Sequence, residues 1–280
     1  MAENVVLITG SSSGIGLLTT VELARAGFRV IASMRDLGRR QRLDDAAAAA
    51  GVGKNIDVRR LDITEFDGIP EFIAQLERDY GRLDVLVNNA GFAMAGFAED
   101  LLLEELRQQF ETNFFGAVAV SKAALPIMRR QRSGHIIMVS SIGGRISAPV
   151  IGAYDSSKFA LEGWSESLRI ETRSLGIRVV LVEPGSYQTD IWERNVRLGS
   201  AAVDRSSPNH ERADRFSEMV KKVHKADPLP VAKLITRIAQ MPNPRLRYRV
   251  GFDSHLQFWL HTLLPWKMYE KLVIRATKIG

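Results

Sequence analysis

Thr9-Gly10-Ser11-Ser12-Ser13-Gly14-Ile15-Gly16 comes directly after the apolar run Val5–Ile8 and opens a helical pattern that reaches Ala26. Strand, glycine-rich turn and helix in that order suit a nucleotide. Small residues let the backbone approach a pyrophosphate, and a helix N-terminus offers unpaired N–H groups and a partial positive charge. The spacing is Gly-x-x-x-Gly-x-Gly rather than the commoner Gly-x-Gly-x-x-Gly. Taken alone, three such glycines equally suit a plain tight turn, so the rest of the chain has to decide the fold.

Beyond this turn the chain alternates. Strand-length runs rich in Val and Ile recur at Val30–Ala32, Val85–Val87, Ile136–Val139 and Val179–Val182, with a shorter one near Val58–Leu61. Continuous apolar strands suit a parallel sheet buried on both faces. Between them lie helical patterns over Gly16–Ala26, Asp36–Ala50, Ile69–Tyr80, Leu103–Gln131 and Tyr154–Leu175, with Gly27 and Gly176 as stops. This is the rhythm of an α/β doubly wound parallel sheet of Rossmann type. After Gly185 the rhythm ends. One domain is expected, with a core over 4–190, a helical lid over 186–228 and a C-terminal helical extension over 229–280. The lid helix is read from Ser207-Pro208 and an apolar stripe of Phe216, Met219, Val220 and Val223.

The end of the second strand selects the dinucleotide. Sites selective for NAD place an acid there for the ribose 2′-OH. Here the run is Ile31-Ala32-Ser33-Met34-Arg35-Asp36, with Met34 at the expected position. Arg35 offers a planar fork to a 2′-phosphate and Ser13 a hydroxyl, so NADP(H) is expected over NAD(H). Asp36 takes the acid's role if the register slips. Asp62, before Ile63, ends another strand where a carboxylate can accept from an adenine amino group. Asn89, Ala90 and Gly91 end the next and leave room for a ribose.

Tyr154-Asp155-Ser156-Ser157-Lys158 puts a phenol and an ammonium one helical turn apart, and Ser141 lies thirteen residues before the tyrosine. With the glycine turn, this set reads as a nicotinamide-dependent oxidoreductase with a tyrosine proton donor. A tyrosine of pKa about 10 is a weak acid near neutrality, and the charge of Lys158 is expected to pull it down by about three units.

Thr9-Gly10-x-x-x-Gly14-Ile15-Gly16, Asn88-Asn89-Ala90-Gly91, Asn113, Ser141, Tyr154-x-x-x-Lys158 and Pro184-Gly185-x-x-x-Thr189 together resemble the short-chain dehydrogenase/reductases over residues 4–190. Tyr154–Gly163 and Ile31–Asp36 resemble hydroxysteroid and retinol dehydrogenase-like members. The resemblance implies a catalytic set of Asn113, Ser141, Tyr154 and Lys158. In it, Ser141 holds the substrate oxygen, Lys158 also bonds the nicotinamide ribose and Asn113 anchors a water path. Pro184, Gly185 and Thr189 border the carboxamide. It further implies a homodimer or homotetramer paired through the two long helices. The alternative is a catalytically weak NADP-binding regulator of the same fold.

Tyr187, Ile191, Trp192 and the lid stripe imply a greasy pocket for a hydrophobic ketone, aldehyde or alcohol such as a steroid, retinoid or long-chain carbonyl. The chain has no cysteine, which removes thiolate chemistry and suits a reducing cytoplasm. No metal is expected, because the five histidines lack ligand spacing with carboxylates. The start has no basic region followed by an apolar run, so no secretory leader is expected. No apolar stretch is long enough to span a bilayer. Residues 1–185 carry 21 basic and 23 acidic side chains, and 186–280 carry 17 and 9. No nucleic-acid-binding motif accompanies that basic excess. In the tail, Leu256, Trp259, Leu260, Leu263 and Leu264 precede Pro265-Trp266-Lys267-Met268-Tyr269, then Lys271, Arg275 and Lys278. Two readings stay open: a helix pair that seals the pocket or packs on a subunit, and a peripheral contact with an anionic membrane.

Overall fold

The structure, a computed structural model, describes residues 3–192, 196–200, 204–222, 225–277 and 279. Val223 of the expected lid stripe, His224 and Lys278 lie outside the described residues, as do the side chains of Trp192, Met219 and Val220.

The strands are β1 (Val5–Thr9), β2 (Arg29–Met34), β3 (Ile56–Arg60), β4 (Val85–Asn88), β5 (Ala93–Ala95), β6 (Gly134–Val139), β7 (Ile177–Pro184), β8 (Val196–Leu198) and β9 (Arg247–Val250). The helices are α1 (Gly14–Arg25), α2 (Gln41–Ala49), α3 (Ile69–Tyr80), α4 (Leu103–Phe110), α5 (Ala117–Gln131), α6 (Gly152–Thr172), α7 (His210–Lys222), α8 (Leu229–Gln240), α9 (Phe252–Leu263) and α10 (Trp266–Thr277).

Seven strands form one parallel sheet in the order β3-β2-β1-β4-β6-β7-β9. It is the doubly wound, Rossmann-type sheet expected from the sequence. Strand side chains alternate between faces. Val6, Ile8, Val30 and Ala32 pack with Leu17 and Val21 of α1, Leu43 of α2 and Ile235 of α8. Val5, Leu7 and Ile31 pack with Ile73 of α3, Val120 of α5 and Leu161 of α6. Each face thus buries one apolar layer, which is why the strands read as unbroken Val and Ile. The chain reverses direction across the sheet between β1 and β4. The C-terminal ends of those neighbours therefore open a crevice, where ligands of such sheets bind.

Several boundaries differ from the sequence pattern. The helix expected over Leu103–Gln131 is α4, a π-helical turn over Glu111–Gly116, then α5. The wide turn carries Asn113 inward to the main chain of Phe92. The helix expected from Asp36 starts at Gln41, because the Asp36 carboxylate accepts from Gly38 N and holds a short turn over Leu37–Arg39. The lid helix starts at His210 rather than Pro208. Ser207 Oγ instead accepts from Asn209 N and donates to Asp100 Oδ1.

Three strands lack a sequence signal. β5 and β8 have three residues each and pair only with each other. The four residues of β9, Arg-Tyr-Arg-Val, look polar. Burial becomes tolerable there through charge pairing. Glu183 of β7, wholly buried, faces Arg247 Nε at 3.1 Å and Arg249 Nη2 at 3.2 Å. Arg247 also meets Glu162 Oε2 at 2.9 Å and reaches Glu166, both on α6. Removing one partner of a buried pair leaves an uncompensated charge, at a cost of about 3–5 kcal/mol. Arg247→Ala should therefore lower unfolding stability by that order, read as a lower urea midpoint at unchanged slope. A change within experimental error would show that β9 is held by its main chain alone.

Candidate active site

The crevice is a cavity of about 1250 Å³ that runs from the β1–α1 turn to the C-terminal helices. Its floor is a hydrogen-bonded clamp between β1 and β4. Thr9 Oγ1 accepts from Asn89 N and Ala90 N at 3.0 and 3.1 Å. Asn89 Nδ2 returns bonds to Thr9 O and Gly10 O, both at 3.0 Å. The glycines are needed at this approach. A Cβ at Gly10 would stand 2.7 Å from Ala90 Cα, and one at Gly16 would overlap Gly10 O and Asn89 Nδ2. The first turn of α1 carries no acidic residue. Its N–H groups and partial positive charge are therefore open to an anion.

All the residues expected to bind the dinucleotide line this one cavity: Gly10, Ser13, Gly14, Ile15, Gly16, Arg35, Asp62, Ile63, Asn89, Ala90, Gly91, Tyr154, Lys158, Pro184, Gly185 and Thr189. Ser141 lines it too, but Asn113 does not. The Asn113 amide, 1% exposed, accepts from Phe92 N and donates to Phe92 O and Ser157 Oγ. It acts here as a brace behind the wall.

At the end of β2, Met34 is buried and Arg35 is largely exposed, its Nε 3.9 Å from Asp62 Oδ2. Asp62 Oδ1 is taken by Thr64 N and Oγ1. Asp36 lines the cavity beside Arg35, and its Oδ1 accepts from Gly38 N. Arg39 lines the same end and escaped the sequence reading, since only the turn at Leu37–Arg39 brings it there. The glycine-lined turn, open helix end and two arginines fit a dinucleotide with an extra phosphate.

Tyr154 and Lys158 project from the first two turns of α6, and both are 5% exposed. Lys158 Nζ donates to Val139 O at 2.9 Å and lies 5.8 Å from the centre of the Tyr154 ring. Tyr154 hydrogen-bonds Ser141, which caps the turn over Ile142–Gly144. The electrostatics run opposite to the expected drop. Burial pushes the Tyr154 phenol up to about 12, against a lowering by Ser141 and with a further rise from Asp155. Burial likewise brings the Lys158 ammonium down to about 8. Desolvation is the largest cause of both shifts, because both groups sit in the same low-dielectric wall.

Asp155 is the main residue that the sequence pattern does not reveal. It sits inside the Tyr-x-x-x-Lys stretch, yet nothing in that stretch signals that it is 1% exposed. Its Oδ2 accepts from Ala148 N at 2.8 Å and Ser147 Oγ at 3.1 Å. It thereby ties the loop after Ser141 to the start of α6. Burial raises its carboxyl to about 7. In the same loop, Val150 has a φ of 72°, a strained value for a β-branched residue, and Gly96 N donates to its carbonyl.

Phe92, Ile142, Ile146, Ile151, Ile191, Leu198 and Phe216 also line the cavity, with Tyr269 and Val273 of α10, alongside the polar His210, Asp214, Ser217 and Gln257. Tyr187 and Ile191, expected in a greasy pocket, are both there. Residues near the two ends of the segment expected as a lid bond each other: Gln188 N bonds Ala226 O, and Ala226 N bonds Ser186 O. Among the described residues, no three His, Asp or Glu side chains gather as metal ligands.

The profile described as short chain dehydrogenase matches residues 4–197. An uncharacterized oxidoreductase, YusZ, of Bacillus subtilis is 40% identical over 98% of this chain and 98% of its own. Retinol dehydrogenase 8 of Bos taurus is 37% identical over 89% of this chain and 82% of its own. A crystal structure of a point variant of actinorhodin polyketide ketoreductase with NADPH is 27% identical. It covers 91% of this chain and 99% of its own, with a TM-score of 0.75.

Proposed function

The chain belongs to the short-chain dehydrogenases, and we propose that it is an NADP(H)-dependent oxidoreductase that interconverts a hydrophobic ketone or aldehyde with its alcohol. The observation that carries this is the buried Tyr154–Ser141 pair with Lys158 beside it, facing a glycine-lined crevice on one side and an apolar chamber on the other. Arg35 and Arg39 at the end of β2, with the buried Met34 where an acid would select NAD, support the phosphorylated dinucleotide. The polyketide ketoreductase structure, which holds NADPH, supports it further. The retinol dehydrogenase relative supports a bulky apolar substrate.

The dinucleotide, when bound, supplies or takes the hydride, and its oxidised form adds a positive charge. Gly10, Gly14 and Gly16 with the α1 N-terminus hold its phosphates. Lys158 has three ammonium donors, of which Val139 O takes one, so the others would be available to hold ribose hydroxyls of a bound dinucleotide. Ser141 Oγ and Tyr154 Oη hold the substrate oxygen, and the proton passes through Tyr154 Oη. With its pKa at about 12 the phenol is protonated across the neutral range, the form that donates to a carbonyl oxygen. In the oxidising direction, Lys158 has to stabilise the phenolate against its burial. The π-helical turn at Asn113 interrupts the helical ladder, and its main-chain carbonyls are the place for a proton-resupplying water. We read residues 186–228 as the lid. Leu103, Phe115, Phe159 and Ile170 on the α4–α6 side are 64, 47, 45 and 79% exposed. Those four suit pairing of two subunits through these helices.

The first test is turnover. Tyr154→Phe should retain fold and NADPH binding and lose about 10²–10⁴ in kcat with a carbonyl panel followed by NADPH absorbance. Lys158→Met should lose turnover and NADPH affinity together. Survival of most of the kcat in Tyr154→Phe rejects the proposed acid. A wild type that binds NADPH but turns over no carbonyl rejects the enzyme in favour of a binding protein.

The second test is the choice of dinucleotide. Wild type should prefer NADPH, and Arg35→Ala should lose about 10- to 100-fold in kcat/KM with NADPH and little with NADH, the worth of a charge-assisted bond. Adding Met34→Asp should move the preference towards NADH. Equal wild-type kcat/KM for the two contradicts the assignment.

The third test uses pH. Asp155 is ionised above about 7 and its charge raises the Tyr154 phenol. Asp155→Asn keeps an oxygen for Ala148 N and Ser147 Oγ but removes the charge. The acid limb of kcat for alcohol oxidation should therefore move to lower pH in the variant. The two profiles should separate above pH about 7 and converge below it. An unmoved limb shows that Asp155 only braces the loop.

A further inference from the structure

The C-terminal hairpin of α9 and α10 has an inner and an outer side with different chemistry. Inside, Asp253 Oδ2 accepts from Ser186 N at 2.6 Å, Ser254 Oγ donates to Glu183 O, and the Phe258 ring lies 3.5 Å from the Arg249 guanidinium carbon. Tyr269 and Val273 of α10 line the cavity. This is the pocket-sealing reading of the tail. Outside, Phe252, Leu256, Trp259 and Leu263 stand at i, i+4, i+7 and i+11 and are 83, 47, 52 and 71% exposed. That spacing puts four large apolar side chains on one face of α9. Trp266 at the corner continues the stripe at 64%, and Met268 and Leu272 of α10 extend it at 57 and 44%.

We infer that this outer face docks on a lipid bilayer that carries anionic headgroups. The charge around the stripe decides for lipid over a second copy of the chain. Lys267, Lys271 and Arg275 of α10 are all exposed beside it, with Glu270 as the single acid of that helix. A face carrying this cationic surplus repels its own copy across a two-fold axis but attracts phosphatidylserine-type headgroups. Its aromatic residues include two tryptophans, whose amphipathic rings sit at headgroup level. Neither helix is long and apolar enough to cross a membrane, so the contact lies in the interface plane. The subunit pairing proposed above uses the α4–α6 side and leaves this hairpin exposed. The same two helices wall the apolar chamber, so a docked hairpin sets that chamber against the bilayer. The inference of docking does not depend on the oxidoreductase reading.

The test is flotation of the full chain with vesicles of phosphatidylcholine alone and of phosphatidylcholine doped with phosphatidylserine, at low and high salt. Wild type should float with the anionic vesicles at low salt and be released at high salt. Lys267→Gln, Lys271→Gln and Arg275→Gln together should lower the bound-to-free ratio by about a hundredfold, since each cation near the surface is worth roughly fivefold. Trp259→Ser with Leu263→Ser should abolish flotation and leave NADPH-dependent turnover of a water-soluble carbonyl unchanged. Sedimentation equilibrium of both variants should give the wild-type mass. Absence of flotation at low salt overturns the inference. So does flotation that neither set of substitutions reduces, and so does a smaller mass in the variants, which makes the face a subunit interface. A chain that floats but never oxidises NADPH keeps the docking and rejects the enzyme.

Discussion

The clamp between the ends of β1 and β4 is the constraint the rest of the site depends on. Thr9 Oγ1 accepts two main-chain N–H groups from the β4 end, and Asn89 Nδ2 bonds two carbonyls of the β1 end. Four hydrogen bonds in a half-buried position fix how far apart two neighbouring strands open. Only with that spacing do Gly10 and Gly16 come so close to their neighbours that no Cβ fits. The α1 N-terminus is then aimed into the crevice rather than packed against β4. The clamp leaves the sheet order its consequence: the reversal between β1 and β4 becomes a usable cleft.

From that cleft the chemistry is set by burial more than by pairing. Tyr154, Lys158 and Asp155 are all nearly inaccessible, and each is shifted towards its neutral form. Desolvation disfavours charge whatever its sign, so it moves a phenol and a carboxyl up and an ammonium down. The site therefore stores protons on Tyr154 and holds Lys158 close to losing one near pH 8. Neighbouring charge then matters more than it would in water, because little solvent screens it. Ser141 and Asp155 push Tyr154 in opposite directions, Ser141 from the start of the loop and Asp155 from α6, which it ties to that loop. The strained Val150 lies in that same segment.

The parts legible in the sequence are those governed by local pattern. Val5–Ile8, Val85–Val87 and Val179–Val182 announce a two-sided sheet. Ile69, Ile73 and Leu76, with Gly81 behind them, announce α3 almost to the residue. The residues expected to bind a dinucleotide line one cavity because most of them end a strand or follow one directly, and strand ends in such a sheet converge. What escaped depends on contacts between distant segments. β9 is polar until Glu183, some 60 residues earlier by the numbering, neutralises it. Asn113 looks like a helix residue until the π-helical turn points it at Phe92. The direction of the Tyr154 shift was misjudged because a motif shows which charge is near, not how much water remains.

The basic excess of the last third divides in two once the contacts are known. Arg247 and Arg249 are spent inside, on Glu162, Glu166 and Glu183. They compensate acids of the first 185 residues, so that part of the net charge is structural and invisible from outside. The Arg249 guanidinium also lies over Phe258 and passes the constraint on to α9. Lys267, Lys271 and Arg275 have a different setting: they are exposed on α10, beside the apolar stripe of α9. The same composition thus serves two ends. Half-buried arginines lock β9 and α9 onto β7 and α6, and surface cations give the outside of that lock an electrostatic sign. Because α10 turns Tyr269 and Val273 into the chamber while it shows cations outward, a displacement of this hairpin by whatever it meets would be felt directly by the substrate wall.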